Sequence, residues 1–117
     1  MTTANAQFGR VAVLCGGKSS EREISIESGG AVYDALTRLS IDSQLIDVGD
    51  NFLDVVFEKT FDRVFIAMHG SDGEDGSLQG ALKLLKIPFT GSKVLASALA
   101  MDKTRSKQVW RSHGLAT

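Results

Sequence analysis

Two short apolar runs in this chain each break off at a glycine-rich polar turn, and this arrangement constrains the fold more than any other feature. Val11-Ala12-Val13-Leu14-Cys15 stops at Gly16-Gly17, and Val64-Phe65-Ile66-Ala67-Met68 stops at His69-Gly70. A continuous rather than alternating apolar run of this length is the pattern of a strand buried on both faces of a parallel sheet. In open α/β sheets, ligands bind outside the carboxyl ends of the strands. Two polar turns at neighbouring strand ends therefore predict a crevice for a small molecule.

The intervening sequence supplies helices. Ser20 and Glu23 have the spacing of a capping box, and Ile24, Ala31, Ala35, Leu36 and Leu39 fall on one helical stripe, so a long first helix is expected to about Leu39. A second strand is predicted at Ser43–Val48, a weaker helix from Phe52 to about Lys59, and a third strand from Arg63 to Met68. Leu78, Ala81, Leu82 and Leu85 place a helix over Ser77–Lys86, ended by Pro88, with a very short strand at Phe89-Thr90-Gly91-Ser92. The last stretch reads as one or two helices, with Asp102 as a cap, Gly114 as a stop and Trp110 as an anchor against the sheet. Strands alternating with helices make this an α/β chain: an open, mainly parallel sheet with helices on both faces, three layers deep.

At 117 residues, 43% hydrophobic and 23% charged, the chain is expected to be one domain that buries a core without disulfides or metals. A formal net charge of −1 gives no electrostatic case for nucleic acid or an anionic membrane as partner. Cys15 is the only cysteine, which excludes an intramolecular disulfide and fits a reducing, cytoplasmic setting. No apolar stretch approaches the ~20 residues that span a bilayer. The N-terminal residues carry neither the basic start nor the apolar centre of a secretory signal.

Several familiar sites are ruled out by spacing. Gly16-Gly17-Lys18-Ser19-Ser20 lacks the upstream glycine of a P-loop, since Ala12 stands there, and it does not fit G-x-G-x-x-G. His113 and Cys15 form no zinc pattern with His69, and Asp72, Glu74 and Asp75 lack EF-hand spacing. Glu21 has no structural task comparable to that of Glu23, which makes it a candidate ligand residue; from spacing alone, complementing the helix dipole accounts for these acids slightly better. His69, at a strand end, can donate to a carboxylate or phosphoryl oxygen, or simply bond a turn carbonyl. Lys103 and Lys107 can serve phosphates or form a solvated face.

Three segments carry a resemblance. They are Gly16-Gly17-Lys18-Ser19-Ser20-Glu21-Arg22-Glu23-Ile24-Ser25; His69-Gly70 with Gly73-Glu74-Asp75-Gly76-Ser77-Leu78-Gln79-Gly80; and Ile87-Pro88-Phe89-Thr90-Gly91-Ser92 running to Met101-Asp102-Lys103. In this order the chain resembles the D-alanine–D-alanine ligases of the ATP-grasp superfamily, from Arg10 to Thr117. The resemblance implies a Rossmann-like domain that precedes the ATP-grasp region. It implies an activity in which ATP phosphorylates the carboxylate of one D-alanine and the amine of a second displaces phosphate, making the dipeptide used in peptidoglycan synthesis. Glu21 then pairs with the ammonium of the first D-alanine, His69 lies beside its carboxylate, Ser25 and Gly70 shape the pocket, and Lys103 contacts ATP phosphates. Mg2+ or Mn2+ is implied for the longer enzyme, with its ligands outside this chain, as is a homodimer. On this reading the chain is an amino-terminal fragment, inactive without its central and C-terminal domains. The alternatives are a D-alanine–D-lactate ligase fragment and a stand-alone flavodoxin-like binding module.

Overall fold

A computed structural model describes residues 3–49, 54, 61–70 and 73–117. A 3-10 helix, Thr3–Phe8, precedes β1 (Val11–Gly16), α1 (Arg22–Arg38), β2 (Ser43–Val48), β3 (Arg63–Ile66), α2 (Ser77–Leu84), α3 (Val94–Met101) and α4 (Lys103–Ser112). The predicted weak helix at Phe52–Lys59 lies outside the described residues apart from Asp54. The strands pair in the order β2-β1-β3, all parallel, with Val13 opposite Leu45 and Phe65.

β1 is buried along its whole length because it is central and covered on both faces. On one face Ala12 and Leu14 join Ile46, Val48 and Val64 in a core closed by Leu78 and Leu82 of α2. On the other, Cys15 and Leu45 lie under α1 at Gly29, where an added Cβ would sit 2.7 Å from that of Cys15. The helices therefore flank the sheet on both sides, as the apolar runs require.

Some sequence expectations need correction. The capping box does not form: α1 begins at Arg22 with Glu21 as its cap residue and no side-chain cap bond, because Ser19, not Ser20, folds back, its hydroxyl accepting from the Glu21 N–H at 3.2 Å. The buried residues of α1 are Ser25 and Gly29, whereas Ile24 and Leu39 of the predicted stripe are 59% and 57% exposed. Small residues face the sheet here because the helix approaches it too closely for large ones. Trp110 is 46% exposed on α4, a helix that packs on α3, so it does not anchor to the sheet.

Three boundaries also move. β3 stops pairing at Ile66, although the Ala67 N–H still reaches the Leu14 carbonyl at 2.8 Å. α2 stops at Leu84 because Lys86 turns to φ 59°, and the Ile87 N–H then closes on the Leu82 carbonyl at 3.0 Å. The expected fourth strand shrinks to one parallel bridge, Val64 with Phe89. The Thr90 hydroxyl takes the Ile66 N–H at 3.0 Å, so a side chain occupies the place of the next ladder bond. At the end of the chain, Asp102 is extended and caps α4 by accepting from the Arg105 N–H at 3.0 Å, which splits the last stretch into two helices.

Gly29→Val is expected to lower folding stability in urea titrations by about 1–3 kcal/mol through overpacking against Cys15. Gly30→Val, where an added Cβ meets nothing within 4 Å, is expected to stay within about 0.5 kcal/mol of the parent. Equal losses at both positions would contradict the close helix-to-sheet contact.

Candidate functional site

The turn after β1 is fixed from beneath. The Gly16 N–H donates to the Ser25 hydroxyl at 2.6 Å, and that hydroxyl has the Arg22 and Gly16 carbonyls within reach at 2.7 and 3.0 Å. Ser25 is fully buried, so it shapes the turn from inside rather than presenting its oxygen to a ligand. Gly16 is at φ 86°, and an added Cβ would collide with Asp47 and come within 2.7 Å of Arg22 Nη1. Those two side chains form a two-pronged ion pair at 2.8 and 2.6 Å that ties the start of α1 to the end of β2. The hydrogen bond to Asp47 raises the Arg22 pKa above its ordinary value. Arg22 also donates to the Gly17 carbonyl at 3.3 Å.

Beneath this pair lies Cys15, whose thiol pKa is raised chiefly by burial and then by the Asp47 charge, with Arg22 opposing. A thiol kept neutral in the folded chain holds its proton more tightly than in the unfolded chain. Stability is therefore level below the unfolded thiol pKa and falls as pH rises through it.

The turn after β3 meets the first turn directly. The Ser19 hydroxyl donates to the His69 carbonyl at 2.8 Å. Gly70 is at φ 72°, and a Cβ there would lie 2.8 Å from Glu21 Oε2 and 2.9 Å from Ser19 Oγ. The Glu21 carboxylate thus rests against the backbone of the residue that follows His69. The His69 ring has Nδ1 at 3.4 Å from Glu74 Oε1 and Nε2 at 3.5 Å from Ser28 Oγ of α1. The other oxygen of Glu74 accepts from the Gly70 N–H at 3.0 Å, and the Glu74 N–H donates to the Gly70 carbonyl at 2.9 Å. The loop therefore doubles back on itself and brings a carboxylate to the imidazole.

Beside this junction lies an open cavity of about 480 Å³ whose walls include His69, Glu74, Gln79, Thr90, Ser97 and Met101. Glu21, Ser25 and Lys103 are not among its lining residues. The Gln79 amide, nearly buried, holds the loop by donating to the Gly73 carbonyl at 2.9 Å. Lys103 is exposed as the first residue of α4. The structure thus groups Glu21, Ser25, His69 and Gly70 around two touching turns and leaves Lys103 at a separate helix start. Sequence reasoning missed Ser19, Ser28, Asp47 and Glu74 as parts of this assembly. Only Glu74 left a trace, as an acid five positions beyond a strand-end histidine in a glycine-rich turn that can fold back.

A parallel sheet with two touching glycine turns at adjacent carboxyl ends, and acids and a histidine gathered there, defines an α/β domain with a candidate site at its strand ends. Residues 10–55 and 49–92 match the D-ala D-ala ligase N-terminus family, and the chain belongs to that family. It is 61% identical over 110 residues to a D-alanine–D-alanine ligase of Pseudomonas putida (strain GB-1), a match covering 94% of this chain and 35% of the relative. The crystal structure of D-alanine–D-alanine ligase from Bacillus anthracis aligns with a TM-score of 0.83 at 36% identity, covering 92% of this chain and 36% of that one. The complex of that enzyme with ATP aligns at 0.77 and 33% identity, covering 92% and 37%. The chain spans about a third of the length of the curated relatives it matches. Membership of this family displaces the flavodoxin-like alternative.

Cys15→Ala is expected to flatten the loss of stability between about pH 7 and about pH 10, read from urea midpoints at each pH. A parent and variant that decline in parallel would show that the thiol is equally acidic folded and unfolded.

Proposed function

We propose that this chain is the first-substrate domain of an ATP-dependent ligase that joins two D-alanine molecules for peptidoglycan synthesis in the cytoplasm. The observation that carries this reading is the contact of the two turns, Ser19 to the His69 carbonyl and Glu21 against Gly70, within a chain of this family. A zwitterionic amino acid needs an anion for its ammonium and a polar or cationic partner for its carboxylate, and the two touching turns carry Glu21 and His69. Glu21 takes the ammonium through a charge-assisted hydrogen bond, and His69 lies on the carboxylate side. Gly70, with no side chain, leaves room for the Glu21 carboxylate. Ser25 keeps the first turn in register with α1.

ATP supplies the phosphoryl group that turns the first D-alanine carboxylate into an acyl phosphate. The amine of the second D-alanine then attacks that carbonyl carbon, and phosphate leaves. A positive charge on the His69 ring would offset negative charge building on the carboxyl oxygens during both steps. Lys103 is an exposed cation at the start of α4, which suits a phosphate oxygen. Among the described residues no group of three or more His, Cys, Asp and Glu side chains converges to hold a metal. None of the steps here runs through a metal ion.

The central and C-terminal parts that the relatives carry beyond this length are required for turnover, and a homodimer is the assembly of the longer protein. A D-alanine–D-lactate ligase is not favoured, since the P. putida relative is named a D-alanine–D-alanine ligase. Among the described residues, no helix is long and apolar enough to cross a membrane.

In a phosphate-release assay with ATP and D-alanine, the 117-residue chain alone is expected to be inactive and the chain joined to its remaining domains active. There, Glu21→Gln is expected to cost on the order of 1.5–3 kcal/mol in kcat/KM for the first D-alanine, with little change in the KM for ATP. Unchanged kinetics for Glu21→Gln would remove Glu21 from the site, and an inactive full-length enzyme would overturn the assigned reaction.

A further inference from the structure

His69 is touched on both ring nitrogens by side chains from two different elements. Glu74 Oε1, in the loop after β3, lies 3.4 Å from Nδ1, and Ser28 Oγ, on α1, lies 3.5 Å from Nε2. We propose that Ser28 is a positioning residue that sets the tautomer and orientation of the His69 ring, with the proton on Nδ1 facing Glu74 and the Nε2 lone pair facing the Ser28 hydroxyl.

The chemistry of the partners assigns the roles. A carboxylate only accepts, so the nitrogen facing it must carry a proton. In the neutral ring the other nitrogen is then an acceptor, and the Ser28 O–H donates to it. A hydroxyl can also accept, so Ser28 keeps its contact when Nε2 gains a proton, and the ring need not turn over. Glu74 alone is a loose guide: its side chain is 49% exposed and the imidazole 31%, so water competes for Nδ1. Glu74 is also engaged by the Gly70 N–H at 3.0 Å. Ser28 stands on a better-anchored platform, one turn beyond the buried Ser25 and next to Gly29, which lies against Cys15. Glu21, the cap residue at the start of α1, precedes Ser28 by seven positions, so the same helix carries Ser28 and fixes the turn that presents Glu21. The helix that places the proposed ammonium partner thereby also orients the ring proposed for the carboxylate side.

The inference rests on the reading of His69 as a substrate-facing group, but its test needs neither substrate nor turnover. The imidazole nitrogens of the 15N-labelled chain are observed by long-range 1H–15N correlation at a pH where the ring is neutral, with signals assigned against His69→Gln. The parent is expected to show a protonated Nδ1 and a bare Nε2. Ser28→Ala is expected to lose this single-tautomer signature and show averaged nitrogens, while the backbone amide spectrum of the strands stays in place. Ser28→Thr, which keeps the hydroxyl, restores the parent pattern. Ser28→Cys, of nearly the same shape but a weak donor, behaves like alanine and answers the question should alanine unfold the chain. A parent with mixed tautomers, or a parent-like ring in both Ser28→Ala and Ser28→Cys, would overturn the proposal. Either result leaves the ligation reading to its own phosphate-release assay.

Discussion

The buried Ser25 hydroxyl is the contact on which the rest of this end of the molecule depends. It receives the last N–H of β1 from beneath the first turn of α1 and so locks the strand to the helix before the chain has made a full turn. Without a partner at that point, a backbone N–H would be buried at the carboxyl end of the central strand, at a cost of about 1–3 kcal/mol. Arg22 and Asp47 reinforce the same junction from the solvent side, bridging α1 to β2 above the passing Gly16 backbone. Glu21 is the residue that this double fastening presents, at the tip of the turn and outside the helix.

The second loop is held differently. Its contacts are polar: a serine hydroxyl to the His69 carbonyl, a glutamate folded back on Gly70, and a buried glutamine amide on Gly73. A turn fastened from beneath thus faces a loop held by hydrogen bonds. The glycines allow this because side chains at Gly16 and Gly70 would occupy the space the ion pair and the Glu21 carboxylate use.

Much of the fold was legible in the sequence because continuous apolar runs and glycine punctuation report burial and strand ends directly. β1 and β2 lie where the pattern puts them, and Asp102 caps as its position indicates. The errors share a cause. The Ser20–Glu23 spacing and the Ile24–Leu39 stripe are local signals, and both yield to tertiary contact: the tight approach of α1 at Gly29 selects small residues for the buried face and turns Ile24 outward. The fourth strand fails because Thr90 offers a hydroxyl where the ladder needs a carbonyl. Glu21 and His69 could be singled out by position and Glu74 only as one acid of a glycine-rich turn, but Ser28 and Asp47 could not. Their partners come from other elements, and only folding brings them together.

The central claim is that the two turns serve one molecule. It is tested most directly by a double-mutant cycle in the full-length enzyme, measuring kcat/KM for the first D-alanine in the parent, Glu21→Gln, His69→Gln and the double variant. The account predicts that the two losses are coupled, departing from additivity by roughly 0.5–3 kcal/mol, as for residues that share a partner. Losses that add to within about 0.5 kcal/mol, with His69→Gln acting on ATP alone, would mean that the turns touch without sharing a substrate.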